Sequence, residues 1–175
     1  MEFTETRISG EYAFRGRIIS LRVDRVRLPD GGESTREVVE HPGAVAILPV
    51  LEDGRVVLVR QFRYAVGREL LEVPAGTREP DEGPRECAIR ELREETGYEA
   101  DDISELARFY VSPGWCNEEL IVYRARGLRA GDAGLESDEN LAVVIVQPDD
   151  IPALIAAGHI ADAKTLTAIL AHRAG

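Results

Sequence analysis

Two cysteines in 175 residues, Cys87 and Cys116, are too few to staple a disulfide-rich secreted fold. They read as free thiols of a reduced, cytoplasmic protein. No apolar run nears the roughly 20 residues that cross a bilayer as a helix, so no membrane partner is expected. The start, Met-Glu-Phe-Thr-Glu, is acidic and lacks the apolar stretch of a signal peptide. Positive charge is scarce as well: 21 Lys and Arg stand against 32 Asp and Glu, for a net charge of −11 and a pI near 4.8. Binding to a nucleic-acid backbone relies on Lys and Arg neutralising phosphates, so nucleic acid is not an expected partner. A small molecule carrying phosphate is compatible, because a bound cation inverts the local field of an acidic site. Repeats and low-complexity tracts are absent.

What is present suits one folded domain with a small extension. The length is that of a single domain, and the apolar content of 44% supports a proper core. Residues 1–40 read as an antiparallel β segment, with strands over Tyr12–Ile19, Leu21–Leu28 and Thr35–Glu40 and a turn at Pro29-Asp30-Gly31-Gly32. So small a sheet is marginal alone and is expected to pack on the main domain or on a second subunit. Residues 41–175 hold the rest. Ala44–Leu51 and Val56–Arg60 flank Glu52-Asp53-Gly54 and read as a hairpin. Short strands are expected at Leu70–Val73, Ile103–Tyr110, Leu120–Arg126 and Leu141–Gln147, and helices at Ile151–Ala157 and Ala163–His172, with Asp162 as N-cap. Strands and helices mixed without strict βαβ alternation point to an α/β (α+β) sandwich.

The informative stretch runs from Gly76 to Tyr98. It reads as a loop followed by a helix, with Pro84 in the first turn, Asp81 or Glu82 placing negative charge near its N-terminus, and Gly97 as the left-handed stop. Ala88, Ile89, Leu92 and Thr96 fall on one apolar stripe at helical spacing. Beside it lie Glu91, Glu94 and Glu95. Glu91 and Glu95 form an i,i+4 like-charge pair, which destabilises a helix by a few tenths of a kcal/mol. One explanation is a solvated acidic face partnered by Arg85, Arg90 and Arg93. The other is a site for a hard divalent cation, which takes oxygen ligands and keeps waters and substrate phosphates in its remaining positions.

The spacing separates the two. Gly76, five residues, Glu82, seven residues, then Arg90-Glu91-apolar-x-Glu94-Glu95-x-Gly97 resembles the Nudix box at every fixed position, with Tyr98 replacing the usual aliphatic residue at its end. So many fixed residues in one window make a specific signal. The resemblance implies a mixed sheet between helices and hydrolysis of a nucleoside diphosphate linked to another moiety. It implies Mg²⁺, or Mn²⁺ or another divalent cation, on Glu91 and Glu95, with Glu94 as ligand or acting through water and the Ala75 carbonyl as a backbone ligand. Arg90 is implied to orient the carboxylates, and Glu82 to brace the loop through an arginine.

Features outside the box resemble the ADP-ribose pyrophosphatase branch. Pro113, in Ser112-Pro113-Gly114, lies sixteen residues past Gly97; Arg60-Gln61-Phe62-Arg63 resembles that branch's cleft-lining segment; and Arg15-Gly16-Arg17-Ile18 resembles a module exchanged between subunits. The tail Gly158–Thr165 is similar to the start of its C-terminal helix. The resemblance thus implies a homodimer that hydrolyses ADP-ribose to AMP and ribose 5-phosphate. Arg17, Ile18, Arg60, Arg63, Pro113 and Glu118 would contact substrate, Arg63 as a phosphate clamp and Glu118 toward the metal or the terminal ribose. The general base would come from the acidic loop Gly134–Asn140, as Glu139 with Glu136 in reserve. Another nucleoside diphosphosugar such as GDP-mannose is the alternative substrate. A ligand-sensing domain without catalysis is the alternative class, although such domains typically lose box glutamates and carry a fused DNA-binding module, and neither is seen here.

Overall fold

A computed structural model describes residues 2–131 and 140–175 and divides them into two compact units. The first holds the chain through Gly43 together with Tyr110–Glu119; the second is Ala44–Phe109 with Leu120–Gly175.

In the first unit, β1 (Thr6–Arg15), β2 (Ser20–Arg27) and β3 (Glu33–Glu40) form an antiparallel sheet in that order. The expected turn joins β2 to β3, where the Gly31 and Leu28 N–H groups close onto Leu28 and Gly32 carbonyls at 3.0 and 2.8 Å. The first strand differs from the reading of Tyr12–Ile19. It starts at Thr6 and stops at Arg15, and residues 16–19 form the β1–β2 turn, closed by the Gly16 N–H on the Ile19 carbonyl at 2.9 Å. Gly16 breaks the strand before its apolar tail, so Arg17 and Ile18 sit at a hairpin tip. Asp24, buried on β2, receives Arg7 and Arg22, both at 2.9 Å. The segment Tyr110–Glu119 is tied to β3: the Val39 N–H donates to the Trp115 carbonyl at 2.8 Å and the Asn117 N–H to the Val39 carbonyl at 3.1 Å.

The second unit is an α/β/α sandwich with a mixed sheet, as expected. Its mixed sheet has the order β7 (Ala75–Thr77), β4 (Ala44–Pro49), β9 (Glu119–Ala130), β8 (Tyr98–Tyr110). Strand β4 runs antiparallel to β7 and parallel to β9. A second, antiparallel sheet has the order β10 (Leu141–Val146), β5 (Val56–Arg63), β6 (Arg68–Glu72). Strands β4 and β5 therefore do not form the expected ladder hairpin. They belong to different sheets, and an isolated bridge joins Val50, just past β4, to Val56 at the start of β5. All of β4 and the first half of β5 are buried on both faces, which suits burial between layers rather than a two-stranded ribbon with one wet side.

The alternation of β4 sorts the core. Val45 and Ile47 pack with Cys87, Ala88 and Leu92 of helix α1 (Pro84–Thr96). Ala44, Ala46 and Leu48 pack on the other side with Leu58, Leu71, and Ala168 and Ile169 of helix α3 (Ala163–Ala174). Successive strand residues point to opposite faces, so one strand serves both layers. Each fully buried aliphatic side chain contributes about 1.5–3 kcal/mol. Between β10 and α3 lies the short helix α2 (Ile151–Ala156).

Candidate functional site

Helix α1 forms where the box places it. Gly83 is its extended N-cap, and the Glu86 carboxylate accepts the Gly83 N–H at 3.0 Å. Pro84 opens the first turn, and Gly97, at φ 69°, ends the helix in the left-handed region. The buried face differs from the stripe read from the sequence. Ala88, Leu92 and Thr96 of that stripe are buried as expected, but Ile89 is 44% exposed, and Cys87, Glu91 and Glu95 are buried as well. Relative to the expected stripe the helix is turned so that two carboxylates face inward and an isoleucine faces out. Burial of a carboxylate is costly unless it is paired or coordinates a metal.

Both inward glutamates meet the start of β7. The Ala75 N–H donates to Glu95 Oε2 at 3.1 Å. Gly76 lies so close to Glu91 that a Cβ there would coincide with its carboxylate. The first box glycine is thus needed for close approach of backbone to side chain. The contact seen at Ala75 is made by its N–H; the sequence assigned its carbonyl.

Arg90 gathers the acids. Its Nε and Nη2 reach the two carboxylate oxygens of Glu82 at 2.9 and 3.0 Å, and its Nη1 lies 2.6 Å from Glu91 Oε1 and 2.9 Å from Glu94 Oε2. The Arg90 fork holds the Glu82 carboxyl down at about 2, and Glu82, then Glu94 and Glu91, raise Arg90 in turn. Cys87 sits at this junction fully buried; burial first and Glu82 second push its thiol up to about 12. A thiol so rarely ionised is filler rather than a nucleophile.

Among the described residues no group of three or more His, Cys, Asp or Glu side chains is already gathered as a cation cage. The donor chemistry nevertheless fits a hard cation: two buried carboxylates one helical turn apart, against a backbone without a Cβ, with a third carboxylate held by the same arginine.

On β5, Arg60 and Arg63 are an odd number of residues apart, and the strand continues through both, pairing Arg60 with Leu71 and Arg63 with Arg68. They therefore point to opposite faces. Arg60 lines a cavity of about 240 Å³ with Glu69, Leu70, Leu71, Leu154 and His159. Arg63 binds Glu72 on the other face, through Nε at 2.9 Å and Nη2 at 2.6 Å. The structure does not bring these two arginines together. Glu72, 1% exposed, also receives Lys164 Nζ at 2.9 Å. Sequence reading passed over Glu72 and Lys164; the signal was an acid inside the apolar run Leu70-Leu71-Glu72-Val73.

Arg17, Ile18, Pro113 and Glu118 belong to the first unit. Arg17 and Ile18 are exposed at the β1–β2 turn. Pro113 lines a cavity of about 470 Å³ with Arg36, Val38, Tyr110 and Trp115. Glu118 Oε1 stands 4.0 Å from His41 Nδ1. Glu136 and Glu139 lie outside the described residues.

Comparison with known proteins places this arrangement. Residues 40–169 match the NUDIX domain, and residues 5–39 match the nucleoside diphosphate sugar hydrolase N-terminal domain. The chain is 41% identical to an ADP-ribose pyrophosphatase of Bacillus subtilis over 94% of this chain and 90% of that protein. It is 40% identical to a methanol dehydrogenase activator of Bacillus methanolicus over 95% and 91%. A GDP-mannose pyrophosphatase of Yersinia enterocolitica is 36% identical over 79% of each. The crystal structure of an ADP compounds hydrolase shares the fold, with a TM-score of 0.88, 22% identity, and 99% of this chain and 95% of that chain covered. The box helix, its inward carboxylates and these matches together make the chain a member of the Nudix family, a pyrophosphohydrolase of the branch that includes the ADP-ribose pyrophosphatases.

Proposed function

We propose that the chain hydrolyses ADP-ribose to AMP and ribose 5-phosphate with the aid of Mg²⁺. The observation that carries this reading is the near full-length similarity to an ADP-ribose pyrophosphatase, 41% over 94% of the chain, against 36% over 79% for the GDP-mannose enzyme. Water adds to one phosphorus, the bridging P–O bond breaks, and the leaving phosphate monoester takes the bridging oxygen. Glu91 and Glu95 would hold the cation, with Glu94 completing the set and the Ala75 loop beside them. A cation held there would supply a lowered pKa for the attacking water and screening of the phosphate oxygens. Arg90 keeps the carboxylates oriented. Glu139 takes the proton of the attacking water. Arg63 offers a guanidinium to a phosphate oxygen, while Arg60, on the opposite face of β5, serves another part of the substrate or the fold. Arg17, Ile18, Pro113 and Glu118 recognise the nucleoside and terminal ribose. A panel of ADP-ribose, GDP-mannose and other nucleoside diphosphosugars, with Mg²⁺ or Mn²⁺ and product identification, tests this. Faster turnover of GDP-mannose than of ADP-ribose would reassign the substrate.

We also propose a homodimer built through the N-terminal unit. Ile8, Tyr12, Phe14, Ile18 and Ile19 are all more than a third exposed, a set of apolar side chains that suits an interface. Sedimentation of the intact chain as a fully active monomer would remove this idea. The two free thiols support the reducing cytoplasm as its location.

A second reading, activation of a dehydrogenase, is supported by the relative of that name. Adding the chain to methanol dehydrogenase, beside its Glu91→Gln variant, tests whether any activation needs hydrolysis.

A further inference from the structure

We infer that the segment Asp162–Thr165, at the start of α3, is a two-armed positioning device for the candidate site. One arm sets the β6–β7 loop that meets the box carboxylates; the other sets Arg63. The inference rests on the reading of Glu91, Glu95 and Arg63 given above.

The first arm is Thr165. Its side chain is fully buried, and its hydroxyl oxygen accepts the Val73 N–H at 2.9 Å. Its own N–H is already capped by Asp162 Oδ1 at 3.0 Å, so the hydroxyl is not spent on the helix end. From Val73 the chain passes through Pro74, whose carbonyl accepts the Ile47 N–H at 2.9 Å, to Ala75 and its contact with Glu95. Two residues before Val73, the Leu71 N–H donates to the His159 carbonyl at 2.9 Å. The loop facing Glu91 and Glu95 is therefore pinned by the stretch that leads into α3.

The second arm is Lys164. Its ammonium lies 3.0 Å from Asp162 Oδ1 and 2.9 Å from Glu72 Oε2, the same oxygen that receives both Arg63 contacts. Among the described residues Lys164 and Arg63 are the charged partners of this buried carboxylate, so without Lys164 its charge would fall on Arg63 alone. Lys164 shares that carboxylate, and Arg63, held on it through Nε and Nη2, keeps Nη1 on a side chain 39% exposed to meet an anion. A buried amide and a buried carboxylate need such partners for stability as well, so the positioning role is read from Mn²⁺ affinity and KM and not from the thermal midpoint. Outer partners of this kind typically alter metal affinity or activity by about 10–100-fold.

The test uses the full chain with Thr165→Val, Thr165→Ser, Lys164→Met and Lys164→Arg. Mn²⁺ binding is followed by electron paramagnetic resonance of the free ion, alongside kcat and KM for ADP-ribose and thermal unfolding. Thr165→Val is expected to weaken Mn²⁺ binding by about tenfold or more and to lower kcat, with Thr165→Ser restoring both. Lys164→Met is expected to raise KM with Mn²⁺ binding retained, and Lys164→Arg to restore KM. If Thr165→Val does not fold, the two Lys164 variants decide the matter. Lower thermal midpoints with unchanged Mn²⁺ affinity, kcat and KM would overturn the inference and leave only a brace. A wild type that binds Mn²⁺ but leaves ADP-ribose intact would sink the substrate reading alone, since the Mn²⁺ result for Thr165 still stands or falls by itself.

Discussion

Arg90 and Glu82, eight residues apart, are joined by a two-point fork, with Nε and Nη2 at 2.9 and 3.0 Å from the two carboxylate oxygens. The fork spans the turn that leads into α1 and leaves Nη1 to Glu91 and Glu94. One guanidinium thereby couples the shape of the loop to the direction of the acids.

That fork has a pH signature. The Glu82 carboxyl is lowered from an ordinary 4.5 to about 2, first by its hydrogen bonds from Arg90. A carboxyl whose folded value is depressed contributes stability that is present above its unfolded value and lost as pH falls through the folded one. Wild type should therefore lose this contribution between about pH 4.5 and pH 2. Glu82→Gln should be less stable at neutral pH and show a flatter acid limb over that window. Urea midpoints measured across this range check it; parallel curves for the two proteins would refute it.

Gly76→Ala should separate fold from activity. The added Cβ would coincide with the Glu91 carboxylate, the far end of a side chain that can swing aside. Thermal stability should change little, while kcat falls by about 10²-fold, the cost of a misplacement near 1 Å. Near-normal kcat in a folded variant would mean that the Glu91 position seen here is not the working one.

Glu91→Gln and Glu95→Gln should each abolish turnover by removing an anionic donor, with the fold kept. Both side chains are buried, at 6% and 4% exposure, and an amide has nearly the same shape. Circular dichroism with a direct assay of phosphate monoester release is the check. Turnover within a few-fold of wild type in both variants would sink the assignment.

Glu139→Gln should lower kcat by roughly 10²–10⁴-fold, the usual contribution of a general base, with KM and metal affinity little changed. Glu136→Gln should do much less. Equal and mild effects would mean that neither is the base and that the water is activated by a helix glutamate or the metal alone.

Local chemistry placed most of the elements, and the box spacing carried the family resemblance that implies the reaction class. Pro84 and Gly97 bound α1, Asp162 caps α3, Pro29-Asp30-Gly31-Gly32 turns β2 into β3, and the spacing of Gly76, Glu82, Arg90, Glu91, Glu94, Glu95 and Gly97 marks the family. These signals lie within a few residues of one another, where backbone geometry and helical period suffice to read them. Tertiary structure decided whatever depends on what lies opposite. It sent β4 and β5 into different sheets, because each had another apolar partner to cover it. It turned α1 so that Glu91 and Glu95 face inward and Ile89 outward, since the box carboxylates meet the β7 backbone only in that rotation. It joined Glu72 to Lys164, and Val73 to Thr165, across 92 residues in each case. No periodicity reports such a pairing, because it is made by packing after the chain has folded back on itself.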